Sequence, residues 1–198
     1  MKQEVTFEGT LVFDPIDRTA KHKKQSSWKK VAMVVIDGEI APNKRIKGDT
    51  WGLYAWFLKK RYNIILNPPL RGTHISFIND REGDLNGGKG TREEREHMWN
   101  QLKKKYHHTK IQVTLSTDVR SDGNHWWLVM PEEDRTELHK IRSEVGLGRP
   151  FYGLHMSIGY AVDGRTNEDI EDHAPKAGRM DLTTSKMVHE LLKKGLYK

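Results

Sequence analysis

"RGTHISFIND" (residues 71–80) and "YGLHMSIGYA" (residues 152–161) are the stretches on which the reading of this chain turns. Each writes Gly-x-His-x-Ser inside an apolar run, the second copy 81 residues after the first. Strand interiors normally avoid glycine, which has nothing to pack, and avoid an imidazole that must find a polar partner when it leaves water. Side chains two apart on a strand share a face. Gly72, His74 and Ser76 are therefore expected on one face of the first strand, and Gly153, His155 and Ser157 on one face of the second. The alternate residues, Thr73, Ile75 and Phe77 and then Leu154, Met156 and Ile158, point into a core. A glycine beside each histidine leaves a gap that a ligand or a backbone can approach.

Outward from these strands, the pattern alternates between periods of two and of 3.6 residues. "EVTFEGTLVF" (4–13) and "VAMVVIDG" (31–38) read as strands, and "DTWGLYAWFLKKRY" (49–62) as a helix capped by Asp49 or Thr50. Trp51, Tyr54, Ala55 and Leu58 share one face of that helix, and "NPPL" (67–70) breaks the chain before the first motif. "TREEREHMWNQLKKKY" (91–106) is a helix with acids early and lysines late, as its dipole favours. "KIQVTLST" and "HWWLVMP" read as two strands around an "SDGN" turn, and "PEEDRTELHKIRSEVG" (131–146) as a second helix leading to the second motif. This order predicts a mixed α/β (α+β) fold with long-range sheet pairing. No linker interrupts the chain, so residues 1–198 are read as one domain, with residues 1–48 as an N-terminal strand extension and residues 181–195 as a closing C-terminal helix.

Composition narrows the classes. The chain has 198 residues, 31% of them charged, and no cysteine, which excludes disulfides, thiolate catalysis and cysteine-based zinc sites. The longest apolar runs, such as "VAMVVI", are too short to cross a bilayer, and the N-terminus lacks the apolar core of a secretory signal. A cytoplasmic protein with no membrane association is expected. A formal net charge of +7 favours polyanionic partners such as nucleotides or RNA, although the same excess serves ordinary solubility.

The motif residues suit a particular chemistry. Two imidazoles flanking a phosphodiester can exchange protons with the nucleophile and the leaving oxygen, and histidine titrates in the right range for both. Two serine hydroxyls can donate to the non-bridging phosphate oxygens. No third ligand accompanies the two histidines on these strand faces, so neither a metal nor another cofactor is expected. The competing reading is a pair of buried histidines with purely structural hydrogen bonds. A further match to the short pattern, His107-His108-Thr109, falls at a helix end and is read as accidental.

With these residues in view, "GTHISFI" and "GLHMSIG" resemble the paired His-x-Ser/Thr signature of the two-histidine (2H) phosphoesterase superfamily, over residues 50–162. The resemblance implies a bilobal fold in which each lobe presents one motif strand to a central cleft, and metal-independent hydrolysis of phosphodiesters. Carried over by motif, His74 and His155 become the acid–base pair, and Ser76 and Ser157 the phosphate binders. The run "LNPPLRGTHISFIND" is similar to the viral anti-defence branch, which degrades cyclic oligonucleotide second messengers of CBASS-type bacterial immunity in the host cytoplasm. Hydrolysis of a 3′–5′ bond in such a messenger is the expected activity. An RNA 2′,3′-cyclic phosphodiesterase, a 2′–5′ oligonucleotide phosphodiesterase and a non-catalytic nucleotide sponge are the alternatives. Candidate substrate contacts are Arg71 at the entry to the first motif, Gly72 and Gly153 beside the histidines, and the aromatic residues Trp51, Tyr54, Trp126 and Trp127 as base-stacking surfaces.

"GDLNGGKGT" (83–91) imitates a phosphate-binding P-loop, but Gly90 stands where a magnesium-binding Ser or Thr is required. A loop beside the cleft is the expectation there, with a lid as one role for it. "HELLK" (189–193) lacks the second histidine of a zinc-protease helix, and Asp169, Glu171 and Asp172 carry no requirement for catalysis.

Overall fold

The computed structural model describes residues 4–15, 30–36, 49–69, 71–79, 85–116, 119–121, 125–150 and 153–161. The expected C-terminal helix at 181–195 and the acidic cluster at 169–172 lie outside the described residues. Within them the chain forms strands β1 (Glu4–Phe13), β2 (Val31–Val35), β3 (Leu66–Asn67), β4 (His74–Asn79), β5 (Lys110–Ser116), β6 (Val119–Ser121), β7 (His125–Val129) and β8 (His155–Ala161). Three helices accompany them among the described residues: α1 (Asp49–Tyr62), α2 (Arg92–Tyr106) and α3 (Thr136–Ser143). The fold is mixed α/β, as the alternation of periods predicts. No helix among the described residues is long and apolar enough to cross a membrane.

The strands join one antiparallel sheet in the order β5-β1-β2-β4-β8-β7-β6, with β3 pairing β8 beside β4. Ser116 ends β5 and Val119 begins β6, yet these two strands stand at opposite ends of that path. Three peptide steps reach about 11 Å at most. The sheet must therefore curl until its edges approach each other, giving a half-barrel. This differs from the expected hairpin of "KIQVTLST" with "HWWLVMP". β7 pairs with the three-residue β6, through Val119↔Leu128 and Ser121↔Trp126, while β5 pairs along its whole length with β1. The partner of β7 is the three-residue β6, too short to show an alternation of its own.

Residues 4–13 and 31–35 are not peripheral to this sheet. β1 and β2 stand between β5 and the first motif strand, and β2 pairs β4 through Val35↔His74 and Met33↔Ser76. The ladder shifts between Ala32 and Met33, where Phe77 is the extra residue on β4. A bulged residue loses its ladder partner. Here the Phe77 carbonyl accepts from the buried Arg142 guanidinium of α3, whose Nε also donates to the Gly148 carbonyl at 2.8 Å. One arginine thus ties the motif strand to the helix layer.

All three helices pack on one face of the sheet. Leu53, Phe57 and Leu58 of α1, Trp99 and Leu102 of α2, and Leu138 and Ile141 of α3 join Ile75, Phe77, Met156, Ile158 and Leu128 in one core. α2 starts on a capping box, Glu94 N donating to Thr91 Oγ1 at 3.2 Å and Thr91 N to Glu94 Oε2 at 2.6 Å. At its far end His107 Nδ1 accepts from Phe13 N at 3.1 Å, and His107 stacks on His108 with ring centroids 3.8 Å apart. The third His-x-Thr match is therefore part of a helix cap, held away from the motif pair. The P-loop imitation is tethered too: Leu85 is buried in the helix-side core, and Asn86 N donates to Val145 O at 2.6 Å.

Candidate active site

β4 and β8 are neighbours at the centre of the sheet, in the register His74↔Ser157 and Ile75↔Met156. Ile75 and Met156 are fully buried under the helices, so by alternation His74, Ser76, His155 and Ser157 occupy the opposite face. All four side chains are half-buried there. Directly opposed residues have Cβ atoms about 5 Å apart and diagonal ones lie about 7–8 Å apart, so His155 sits diagonally across from His74 with each serine beside the other strand's histidine. The two imidazoles are thereby diagonal neighbours on one face of the sheet. The four motif residues, split by 81 positions of sequence, form one patch.

Both histidines are held by the same local device. His74 Nδ1 lies 2.7 Å from the Gly72 carbonyl, and His155 Nδ1 lies 2.8 Å from the Gly153 carbonyl. A carbonyl oxygen only accepts, so each Nδ1 carries the hydrogen and each neutral ring keeps its lone pair on Nε2. The glycine two residues upstream thus sets tautomer and ring orientation in both motifs. Neither serine hydroxyl is engaged by a described residue.

The surroundings differ. Val35 and Met33, both buried, stand opposite His74 and Ser76 on β2 and form with Val31 and Val12 a separate apolar cluster on the motif face. Burial against this dry neighbour disfavours an imidazolium, and the charges of Arg71 and His155 add to it. The His74 pKa is pushed down to about 4 although its bond to the Gly72 carbonyl favours the charged form. His74 is therefore neutral throughout the neutral range. His155 has Trp127 and Val129 as neighbours on β7 instead, the Trp127 ring centroid lying 5.7 Å from its own at 56°.

Gly72 ends an excursion of the chain. β3 and β4 both pair the same side of β8, Asn67↔Tyr160 and His74↔Ser157, so the chain leaves the ladder between them opposite Ile158 and Gly159. The loop closes with Gly72 N donating to Pro69 O at 3.2 Å, and Gly72 adopts φ +70°, where a side chain is strained. Gly159 is required for a different reason, since a Cβ there would lie 2.6 Å from Leu66 Cγ where β3 crosses. Gly153 is exposed, and the nearest atom to a Cβ built on it is Arg135 Nη2 at 3.7 Å, so it keeps open space beside His155.

The other candidate contacts separate by face. Trp127 belongs to the patch, standing opposite Ser157. Trp126 points the other way and is 1% exposed, and Tyr54 is 0% exposed in the core, its hydroxyl pushed up by burial. Both rings are covered, so the expectation that Tyr54 and Trp126 stack on a base is corrected: they hold the helices to the sheet. Trp51 packs half-buried against that same core. Arg71 is buried next to His74 and acts on the patch through its charge. Sequence reading missed Met33 and Val35, because nothing in a wholly apolar "VAMVV" says which motif it will border. Among the described residues no group of three or more His, Asp or Glu side chains is placed to hold a metal ion. No protein-family model, curated protein or solved structure matches the chain.

Proposed function

We propose that this protein is a two-histidine phosphodiesterase that cleaves a 3′–5′ linkage of an oligonucleotide, a cyclic oligonucleotide messenger of bacterial immunity being the substrate that fits best. The observation that carries the reading is the register of β4 on β8. It sets two Nδ1-clamped imidazoles diagonally from each other on one face of the sheet, each with a serine hydroxyl at its side. A structural histidine pair has no need of two matched clamps on the same face of neighbouring strands, each leaving the Nε2 lone pair uncommitted to that clamp.

His74, kept neutral by Val35 and Met33, takes the proton from the ribose 2′-hydroxyl next to the scissile bond. The oxygen attacks phosphorus, and His155 in its protonated form gives a proton to the departing 5′-oxygen. The products are a 2′,3′-cyclic phosphate and a free 5′-hydroxyl, with one proton gained and one lost by the protein. Ser76 and Ser157 donate to the non-bridging oxygens, and the positive charge of Arg71 near His74 adds to their stabilisation. The halves β5-β1-β2-β4 and β8-β7-β6 meet at the shortest ladder along the path, which suits the two-lobe arrangement that the sequence resemblance implies.

The test is turnover in the presence of EDTA on cyclic di- and trinucleotides, 2′,3′-cyclic mononucleotides and 2′–5′ oligoadenylate. His74→Ala and His155→Ala should each lower kcat by about 10²–10⁴. The pH profile should be bell-shaped, its acidic limb falling near the His74 value of about 4 because the base must be neutral. Tight binding without cleavage would make the protein a sponge, and a strict need for divalent metal would overturn the mechanism.

A further inference from the structure

The registers across the sheet place Arg120 of β6 directly opposite Trp127 of β7, Trp127 opposite Ser157 of β8, and Ser157 opposite His74 of β4. These four residues lie in one row on the motif face, successive members one strand apart, about 4.8 Å. Trp127 is half-buried beside His155, and Arg120 is exposed with no ion pair to a described residue. Next to the motif pair on the opposite side, the row continues into the apolar Val35. A polyanion laid on the scissile position therefore finds an aromatic face and then a cation in one direction, and a buried valine in the other.

We infer that Trp127 and Arg120 form a subsite for the nucleotide beyond the scissile phosphate, Trp127 stacking its base and Arg120 binding the next phosphate. This rests on the phosphodiesterase reading and adds to it a substrate class: a chain with at least two phosphodiesters. Arg120 stands two strand spacings from Ser157, about 10 Å, with the tryptophan between them. A base on that ring would have one phosphate on each side. A cyclic mononucleotide would leave Arg120 empty. An exposed arginine on an edge strand also discourages edge-to-edge pairing, and the experiment separates that role from binding.

The experiment compares wild type with Arg120→Gln on two linear trinucleotides, one with both linkages charged and one whose non-scissile linkage is a neutral methylphosphonate. Loss of a hydrogen-bonded charge predicts about a 10-fold or greater fall in kcat/KM on the charged substrate. On the methylphosphonate the two proteins should agree within about 2-fold, the charge that Arg120 reads having been removed. Equal losses on both substrates, or none on either, would overturn the subsite while leaving the phosphodiesterase intact. If wild type cleaves neither, the same comparison is made by calorimetric titration. A Kd that rises for Arg120→Gln only with the charged trinucleotide would support the subsite on a non-catalytic protein. An unchanged Kd would remove it.

Discussion

The two motifs are nearly identical in sequence and are held by the same bond, yet they sit in different surroundings. The first is wedged between β8 and a dry β2, behind a glycine that must take φ +70°. The second lies between β4 and β7, beside Trp127, behind a glycine that is exposed and has room for a side chain. The comparison teaches that a local motif sets tautomer and orientation, while the neighbouring strand sets charge. His74 is pushed down to about 4 chiefly by burial, with Val35 opposite it on β2, and the charges of Arg71 and His155 add to the effect. In the proposed mechanism the two copies of one pattern take opposite roles in proton transfer.

Three experiments would break or sharpen that comparison. The largest effect is expected at the hydroxyls. Ser76→Ala and Ser157→Ala should each lower kcat by about 10²-fold, as loss of one oxyanion donor does elsewhere. The symmetric placement predicts losses of similar size, measured as kcat with saturating substrate; a tenfold inequality would show that the phosphate leans on one strand. Next come the glycines. Gly72→Ala forces a Cβ into left-handed backbone and should cost about 1–2 kcal/mol in chemical denaturation. Gly153→Ala should change stability by less than about 0.5 kcal/mol, since the built Cβ meets only ordinary contacts. Equal costs would mean that the two clamps are strained alike.

The smallest effect is the most specific. Val35→Thr puts a hydroxyl opposite His74 at nearly unchanged volume and relieves the dryness that disfavours the imidazolium. The His74 titration, followed by NMR, should move up from about 4 toward the ordinary 6.5, and the acidic limb of activity should move with it. A His74 midpoint that does not move would transfer the cause from β2 to the Arg71 charge.

Much of this was legible along the chain. The bounds of β1, α1 and α2 follow from alternation, helical periodicity and the order of acids before lysines, because these signals act within a few residues. The decoys could also be set aside, the His-His-Thr triplet by its helix-end setting and the P-loop imitation by Gly90. Other features escaped for a common reason. β6 has three residues, too few to display a period, so the pattern along the chain points to β5 as the partner of β7, whereas β6 pairs it. Trp126 and Trp127 are adjacent letters that fall on opposite faces, and only the ladder to β8 says which one meets the histidines. Tyr54 looked like a stacking surface because a helical face carries no label for what will cover it.

By itself, then, the sequence determined the long strands, the helices and the face on which each motif histidine lies with its serine. These depend on contacts between residues two to four apart, which the chain cannot avoid making. The tertiary structure alone decided that β4 meets β8 with His74 opposite Ser157, that β2 dries one histidine, and that Arg120 joins the row. Those pairings join residues far apart in the chain. Their register is settled by burying Ile75, Phe77, Met156 and Ile158 together under the helices, since a slip of one residue would turn every motif side chain into the core.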